Sequence, residues 1–375
     1  MTTFHEPVLL RPDSAIYKPF PPKFCPILFP DGNRYAILYS GMSDNRHLND
    51  LEFCYRMLID KYAFSAKNIY ALNYDGTVNT KDGSAPVWPG YAPSTYRIQV
   101  TGKGDRAGFQ AAFAALKSKL QADDLLFILT DNHGDNSGGQ SFLCQYPDWS
   151  PYWANDFCSD LATLPKYKSL MVVMEQCNSG GFNGPVIGKS TATNTSIASA
   201  AIASQSSWAT PDGNFDSFAV DWISAQMGHD AYGGALASNP DTNHDGLIEA
   251  IEAYNYAVSI QNPQDSPNYN QSSAAGGNVT LDQQYTWIWW WCFVIKPVIE
   301  KYHPAPPDPE YYAKLAEITP ELQKLVQPAT DRALATLGSQ LTPKVDGIVK
   351  KVFQDRSERR GHERRGPVKK SGKRA

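Results

Sequence analysis

Two stretches decide the fold: LLFILTDNHG at residues 125–134 and LMVVMEQC at residues 170–177. Each begins with an apolar run that is too short for a globular helix and apolar enough for a strand buried on both faces of a parallel sheet. His133 and Cys177 then follow the carboxyl ends of two strands, which is the edge of an open α/β sheet where ligands bind. The two stretches therefore predict one site that holds both side chains.

A cysteine and a histidine at the same sheet edge indicate nucleophilic catalysis. A thiol works as a nucleophile at neutral pH only when a base or acid lies within hydrogen-bond reach. Gly134 follows the histidine and small residues follow the cysteine, so a substrate backbone can approach closely and N–H groups can point at a developing oxyanion. Either residue alone is more simply a surface histidine or a packing cysteine. Together they predict a cysteine hydrolase.

The remaining pattern alternates between strands and helices. Strands are predicted at residues 35–39, 68–72 and 197–203, and helices at 106–120 and 215–227. Such alternation is typical of an α/β protein whose mainly parallel sheet is covered by helices on both faces.

The composition also shifts along the chain, and the shifts predict five segments. They are an extended arm at 1–33, a catalytic domain at 34–300, a proline-rich linker at 301–310, a helical C-terminal segment at 311–353 and a basic disordered tail at 354–375.

Charge and hydropathy restrict the partners. A net charge of −4 over 375 residues argues against a positive potential over the whole surface that would attract nucleic acid or a membrane. Only the basic tail is compatible with weak nucleic-acid binding. The most apolar stretch, residues 287–295, is too short to span a bilayer. The N-terminus lacks the pattern of a secretory signal, and the six cysteines show no metal or disulfide spacing. These features predict a cytoplasmic protein with free thiols, and they do not indicate its oligomeric state.

The motifs resemble those of the legumain-type (asparaginyl endopeptidase) cysteine peptidases, within the wider caspase-like group. The resemblance covers residues 35–223 and rests on His-Gly after one strand and Glu-X-Cys-X-Ser-Gly after the next. It implies a caspase-like three-layer α/β/α fold and a peptide or protein substrate. It also implies Cys177 as the nucleophile, His133 as the group that protonates the leaving amine, and the N–H groups of Cys177 and Gly134 as the oxyanion hole.

The resemblance further implies a pocket for the residue before the scissile bond. Its members here would be Arg46, Glu175, Ser206 and Asp216. A side-chain amide carries two donors and an acceptor, so a pocket with a guanidinium and carboxylates favours asparagine, with aspartate second. Three alternatives stay open: a preference for Arg or Lys set by the acids, an internal Arg46–Glu175 ion pair, and a catalytically silent calcium-binding scaffold of the same fold.

One position departs from the family pattern. The resemblance implies an asparagine two residues before the pocket arginine, where it helps to orient the histidine. Asp44 holds that position here.

Residues 241–252, DTNHDGLIEAIE, match the calcium-loop pattern D-x-[DN]-x-[DN]-G-x5-E. The pattern predicts a structural or regulatory Ca²⁺ held by Asp241, Asn243, Asp245, the carbonyl of Leu247 and Glu252. Because residues 228–240 show no helical pattern, this would be a lone loop and not a paired EF-hand. The alternative interpretation is a helix N-cap with an Asx turn.

Overall fold

The structure, a computed structural model, describes residues 32–84, 87–260 and 262–282. Residues 1–31 of the predicted arm lie outside these ranges, as do the end of the predicted catalytic domain from residue 283, which includes the apolar stretch 287–295, and the predicted linker, helical C-terminal segment and basic tail.

The strands of the described part, in chain order, are β1 (Arg34–Ser40), β2 (Ile69–Asn73), β3 (Asn79–Thr80), β4 (Gly83–Ser84), β5 (Val100–Gly102), β6 (Leu125–Thr130), β7 (Gly134–Ser137), β8 (Gln140–Cys144), β9 (Pro151–Trp153), β10 (Tyr167–Met174), β11 (Ala192–Ser199) and β12 (Asn268–Gln271). The α-helices are α1 (Asn45–Arg56), α2 (Arg106–Lys117), α3 (Ala154–Leu161), α4 (Asn183–Lys189), α5 (Ser217–Met227), α6 (Ala250–Ile260) and α7 (Ala274–Gly277).

Seven of these strands form one sheet in the order β12-β11-β10-β6-β1-β2-β5. Every neighbouring pair is parallel except β11 and β12, which are antiparallel. All residues of β6 are buried, as expected for a central strand with helices on both faces. The predicted α/β fold with a mainly parallel sheet is confirmed.

Alternate residues of the central strands pack into two separate apolar cores, one on each face of the sheet. Leu38 and Phe127 pack on one side with α1, α5 and α6. Ile37 and Ile128 pack on the other side with α2, α3 and α4. The sheet therefore lies between two helical layers, and the predicted three-layer α/β/α architecture is confirmed.

Two predicted elements differ from the observed ones by more than two residues at an end. The strand predicted at 197–203 begins at Ala192 and ends at Ser199, because the polar side chains of Thr195 and Ser196 are buried in the sheet and an apolar pattern does not register them. The helix predicted to reach residue 120 ends at Lys117.

Two small additions frame the carboxyl edge of the main sheet. Strands β7, β8 and β9 form an antiparallel sheet that starts directly after His133, and β3 pairs with β4 in a short hairpin. None of the helices in the described ranges is long and apolar enough to cross a membrane.

Candidate active site

The register of the sheet aligns the carboxyl ends of β6 and β10, which His133 and Cys177 follow. Thr130 of β6 is the paired partner of Met174 of β10, and the two strands are adjacent and parallel. His133 and Cys177 each lie three residues beyond that pair. The structure thus brings both residues to the same edge of the sheet, on neighbouring strands.

Gly134 packs directly against the backbone of the cysteine. A Cβ atom at this position would lie 2.7 Å from the carbonyl oxygen of Cys177 and 2.6 Å from Cγ of Gln176. Such distances exclude any side chain unless the backbone shifts. The His133–Gly134 peptide is therefore held against the Gln176–Cys177 peptide.

The imidazole of His133 is contacted on three sides. Its Nε2 lies 3.1 Å from Oδ2 of Asp44. The ring of His47 meets it edge-on at 4.9 Å between centroids, and the indole of Trp149 lies against it, also at 4.9 Å. Because Nε2 is bound to Asp44, Nδ1 is the nitrogen left for proton transfer.

Cys177 differs from the other cysteines in the described residues. Cys54, Cys144 and Cys158 are buried, whereas Cys177 is half-buried. Burial raises the pKa of the Cys144 and Cys158 thiols to about 12, which keeps both protonated at neutral pH. Cys177 is therefore the one described thiol with solvent access, and it lies at the same sheet edge as His133.

Two features of Cys177 bear on its chemistry. Its Sγ lies 3.9 Å from both the carbonyl oxygen and the hydroxyl of Ser207, and no hydrogen bond joins it to His133 among the described residues. Its N–H makes no hydrogen bond within the described ranges, so it is available to an oxyanion. Catalytic hydrogen bonds commonly tighten only when substrate binds.

Asp44 connects the histidine to two cations. Its carboxylate contacts Arg46 and Nζ of Lys81, the latter at 2.5 Å, in addition to His133. Burial opposes ionisation, but the hydrogen bond with His133 and the charges around it outweigh burial and hold the pKa of Asp44 well below the usual carboxyl range. Asp44 is therefore a carboxylate at neutral pH.

Arg46 joins Asp44 to a second carboxylate. Its Nε lies 2.9 Å from Oδ1 of Asp216, and a quarter of its side chain remains exposed. The predicted alternative of an Arg46–Glu175 pair is not seen, because the acids that Arg46 contacts are Asp44 and Asp216. Glu175 instead accepts a hydrogen bond at 2.6 Å from the N–H of Ala219.

The floor of this region is unusually rich in buried acids. Asp50, Asp131, Glu175 and Asp216 are all at most 4% exposed. Burial, reinforced by the charges of the neighbouring carboxylates, raises the pKa of Asp50, Asp131 and Glu175 well above the usual range. Neither oxygen of Asp131 accepts a hydrogen bond from a described residue. Clustered carboxyls of this kind retain protons at pH values where isolated ones would be ionised.

His47 lies within this cluster, and sequence reasoning did not single it out. Its Nδ1 accepts the backbone N–H of Asp44 at 2.9 Å, and its Nε2 lies 3.4 Å from Oδ2 of Asp216. Burial, followed by the charges of Arg46 and His133, lowers the pKa of His47 well below its usual value. A neutral imidazole that accepts at Nδ1 carries its proton on Nε2.

This tautomer decides whether a metal ion fits here. Two groups have side-chain ligand atoms within 4.8 Å of one another: Asp44, His47 and His133 in one, and His47, Asp131 and Asp216 in the other. Both groups need His47, whose Nδ1 already accepts an N–H and whose Nε2 carries the proton. Neither nitrogen offers a free lone pair, so the donor set does not fit a metal.

The serine that the resemblance implies for the substrate pocket is not the one nearest the thiol. Ser206 is exposed, and Ser207 is the serine whose hydroxyl and carbonyl approach Sγ of Cys177. The resemblance implied this loop, but choosing between the two adjacent serines required the backbone path. The next residue, Trp208, donates its N–H at 3.0 Å to the buried carboxylate of Asp265.

The predicted calcium loop adopts a tight turn before α6. Gly246 has φ +86°, a conformation that favours glycine, and its N–H donates to Oδ2 of Asp241 at 3.0 Å. Asp245 and Asn243 lie on the same turn, where the N–H of Asp245 donates to Oδ1 of Asn243 at 2.8 Å. Leu247, the predicted carbonyl ligand, directly follows the glycine.

Glu252, on the first turn of α6, reaches back to the start of this loop. Its Oε1 accepts the N–H groups of Thr242 and Asn243 at 2.8 and 3.1 Å. Glu249, which occupies the ninth position of the loop and was not among the predicted ligands, is buried and accepts from Nδ2 of Asn243 at 3.2 Å. Five side chains with carboxylate or amide oxygens therefore lie on or reach this turn: Asp241, Asn243, Asp245, Glu249 and Glu252.

Comparisons with known proteins were informative at the level of the family. The model of the Peptidase C13 family matches residues 34–238, which include β1 to α5 and both strand ends described above. A search of curated protein sequences gave no significant match. Among solved structures, a crystal structure of a protein from Geobacter sulfurreducens aligns with 66% of this chain and 97% of its own, at 12% identity and a TM-score of 0.40.

Proposed function

This chain belongs to the Peptidase C13 family, and on that premise we propose that it is a cysteine endopeptidase that cleaves peptide bonds after asparagine and, less well, after aspartate. Cys177 is the nucleophile and His133 is the proton carrier. The observation that carries the proposal is the matched register of β6 and β10, together with the contact between Gly134 and the backbone of Cys177.

The proposed reaction proceeds in two steps. The Cys177 thiolate attacks the carbonyl carbon and forms a C–S bond, while the N–H groups of Cys177 and Gly134 face the oxyanion. His133 then gives its proton to the leaving nitrogen and the C–N bond breaks, which leaves a thioester. Water, losing a proton to His133, hydrolyses the thioester and restores the thiolate.

Asp44 supports this cycle from the far side of the imidazole. A carboxylate 3.1 Å from Nε2 fixes the proton on that nitrogen and directs Nδ1 towards the reacting atoms. Arg46 and Lys81 hold the carboxylate in place. Asp44 thus takes the orienting position at which the resemblance implies an asparagine.

The preference for asparagine follows from the polar groups near Arg46. A quarter of the Arg46 side chain remains exposed, and its Nη2, which is not used in the pairs with Asp44 and Asp216, can donate to a side-chain carbonyl. Oε1 of Glu175 is buried and has no hydrogen-bond donor among the described residues, so it is the carboxyl oxygen that would accept from a side-chain NH₂ when substrate enters. Oδ2 of Asp216 already faces the Nε2–H of His47 at 3.4 Å. A lysine substrate would meet Arg46, and that repulsion disfavours the Arg/Lys alternative.

The test compares four peptides that differ only in asparagine, aspartate, lysine or arginine before the scissile bond. We expect kcat/KM to be highest for asparagine and cleavage to vanish in Cys177→Ala. Arg46→Gln should reduce the asparagine preference by about 10- to 100-fold. Arg97→Gln is the matched control, because Arg97 also pairs with an aspartate, Asp60, but at the surface.

Two results would overturn the proposal. Faster cleavage after lysine or arginine would show that the acids near Arg46 bind a cationic substrate side chain. Folded protein with no Cys177-dependent cleavage of any peptide would favour the silent scaffold.

We further propose that the loop 241–252 binds Ca²⁺ as a structural or regulatory ion. The donor set fits: Asp241, Asn243, Asp245, the Leu247 carbonyl and Glu252 supply hard oxygens at the required spacing, with Gly246 at the sharp turn. Glu249 adds a sixth residue with an oxygen donor at the ninth position of the loop. The ion would tie the loop to the first turn of α6, and it has no role in the cleavage step.

A further inference from the structure

Trp149 stands out beside the catalytic pair. Its indole lies against the ring of His133, with centroids 4.9 Å apart and planes tilted by 38°. Nevertheless, 46% of Trp149 is exposed. An exposed tryptophan alone needs no explanation, since single apolar side chains are common at surfaces. The feature that needs an explanation is its position against the imidazole of His133.

The backbone of Trp149 gives a second, independent observation. Its φ is +64°, in the left-handed region that bulky residues rarely occupy. The surrounding loop holds it there: the N–H of Trp149 donates to the carbonyl of Gln145, and the N–H of Gln145 donates to the carbonyl of Ser150, each at 3.0 Å. Conformations of this kind persist where the surroundings enforce them, and they concentrate at ligand clamps and active sites.

The other contacts of His133 fix which side Trp149 occupies. Asp44 binds Nε2, and His47, which is only 1% exposed, covers the buried side of the ring. Trp149 is the exposed neighbour. A substrate nitrogen that receives a proton from His133 must lie beside this ring, and the residue attached to that nitrogen is the one that follows the scissile bond.

We propose that Trp149 forms the wall that binds the residue after the scissile bond and selects an aromatic or large aliphatic side chain there. The inference rests on the proposed function, because it uses His133 as the proton donor to the leaving amine. An indole face offers an apolar surface on which an aromatic ring packs in an offset or edge-to-face arrangement. Glycine at the same substrate position would leave that face uncovered.

The test uses the full-length protein and two peptides that are identical except for phenylalanine or glycine after the asparagine. Both peptides give the same acyl-enzyme, so hydrolysis of that intermediate is common to them. Any difference in kcat/KM therefore arises before or during acylation. We expect the wild type to favour phenylalanine by about fivefold to tenfold.

The variants are chosen to separate recognition from folding. Trp149→Gly removes the indole and suits the positive φ, so it should fold and should abolish the preference. Trp149→Phe keeps an aromatic face and should retain most of it. Trp208→Ala is the matched control, because Trp208 is equally exposed at 45% but follows Ser207 on the side of Cys177. It should leave the ratio of kcat/KM between the phenylalanine and glycine peptides unchanged.

The outcomes are distinguishable. Equal cleavage of both peptides by the wild type, or an unchanged ratio in folded Trp149→Gly, overturns the assignment of Trp149 and leaves the peptidase proposal intact. Cleavage that does not depend on Cys177 overturns the proposed function and the assignment of Trp149 with it.

Discussion

The carboxylate of Asp44, at the start of α1, lies 3.1 Å from Nε2 of His133, which follows β6. The two residues are 89 positions apart and meet because β1 and β6 are adjacent parallel strands in the centre of the sheet. In the proposed mechanism this contact leaves Nδ1 as the reactive nitrogen, and it links His133 to the segment that also supplies Arg46.

Removing the Asp44 carboxylate should damage catalysis more than folding. We expect Asp44→Ala to lower kcat/KM by about 10²- to 10⁴-fold, since a misoriented imidazole loses most of its effect as an acid and base. Asp44→Asn retains an acceptor for the Nε2 proton and should keep more activity than Asp44→Ala. Equal activity of both variants and the wild type, each with a melting temperature within a few degrees, would contradict the orienting role.

Gly134 offers a test of the close packing between the two strand ends. Gly134→Ala places a Cβ within 2.6–2.9 Å of Gln176 and Cys177, and overpacking of this kind typically costs about 1–3 kcal/mol. Denaturant unfolding should show the loss, and kcat should fall with it. Gly188→Ala in α4 is the control: a Cβ there meets nothing within 4 Å, so the protein should be as stable or slightly more stable. Similar effects of the two substitutions would refute the packing argument.

Stability should fall as the pH rises through neutrality. Burial, opposed by the N–H of Trp208 and aided by the charge of Asp216, raises the pKa of Asp265 to about 7, and burial likewise raises the pKa of Asp221 to about 7. A carboxyl whose folded pKa is raised stabilises the fold below its usual pKa, and that contribution disappears as the pH passes the folded value. The melting temperature should therefore be higher at pH 6 than at pH 8.

Asp265→Asn should flatten this dependence, because the amide oxygen can still accept from Trp208 and carries no charge. Asp156→Asn, which changes an exposed carboxylate, is the control and should leave the slope unchanged. A melting temperature that rises from pH 6 to pH 8 in the wild type would contradict the prediction.

Calcium should stabilise the protein through the loop 241–252. At a concentration about 100 times the dissociation constant, binding to the folded state alone adds about 2.7 kcal/mol. Calorimetry or thermal unfolding should be carried out with CaCl₂, with MgCl₂ and with a chelator. We expect Ca²⁺ to raise the melting temperature of the wild type but not that of Asp241→Ala. Asp230→Ala, in the preceding segment, is the control. An equal effect of Ca²⁺ on the wild type and on Asp241→Ala would exclude the loop.

Local sequence signals predicted a mainly parallel sheet and placed His133 and Cys177 at one edge of it, but they did not predict the strand order or the two small antiparallel sheets. Short apolar runs bounded by polar residues identify buried parallel strands, and the carboxyl edge follows from the strand direction. Ser206 came from the family resemblance and not from these local signals, and the adjacent Ser207 is the serine that approaches Cys177.

Other parts of the site depend on contacts between distant segments, and local patterns do not carry that information. The link between Lys81 and Asp44 requires the hairpin β3–β4 to fold over α1. The tautomer of His47 follows from its place at the helix start, and the position of Trp149 follows from one left-handed residue in a loop. The raised pKa of Asp131 depends on its burial and on three neighbouring acids that tertiary packing brings together.

The most direct test is covalent labelling with an electrophilic peptide probe that presents an asparagine side chain, followed by intact-mass and peptide-mapping mass spectrometry. We expect one adduct per chain, on Cys177, formed far more slowly with a lysine-bearing probe and absent from Cys177→Ala. Labelling of folded protein at another cysteine, or equal labelling by the asparagine and lysine probes, would contradict the account.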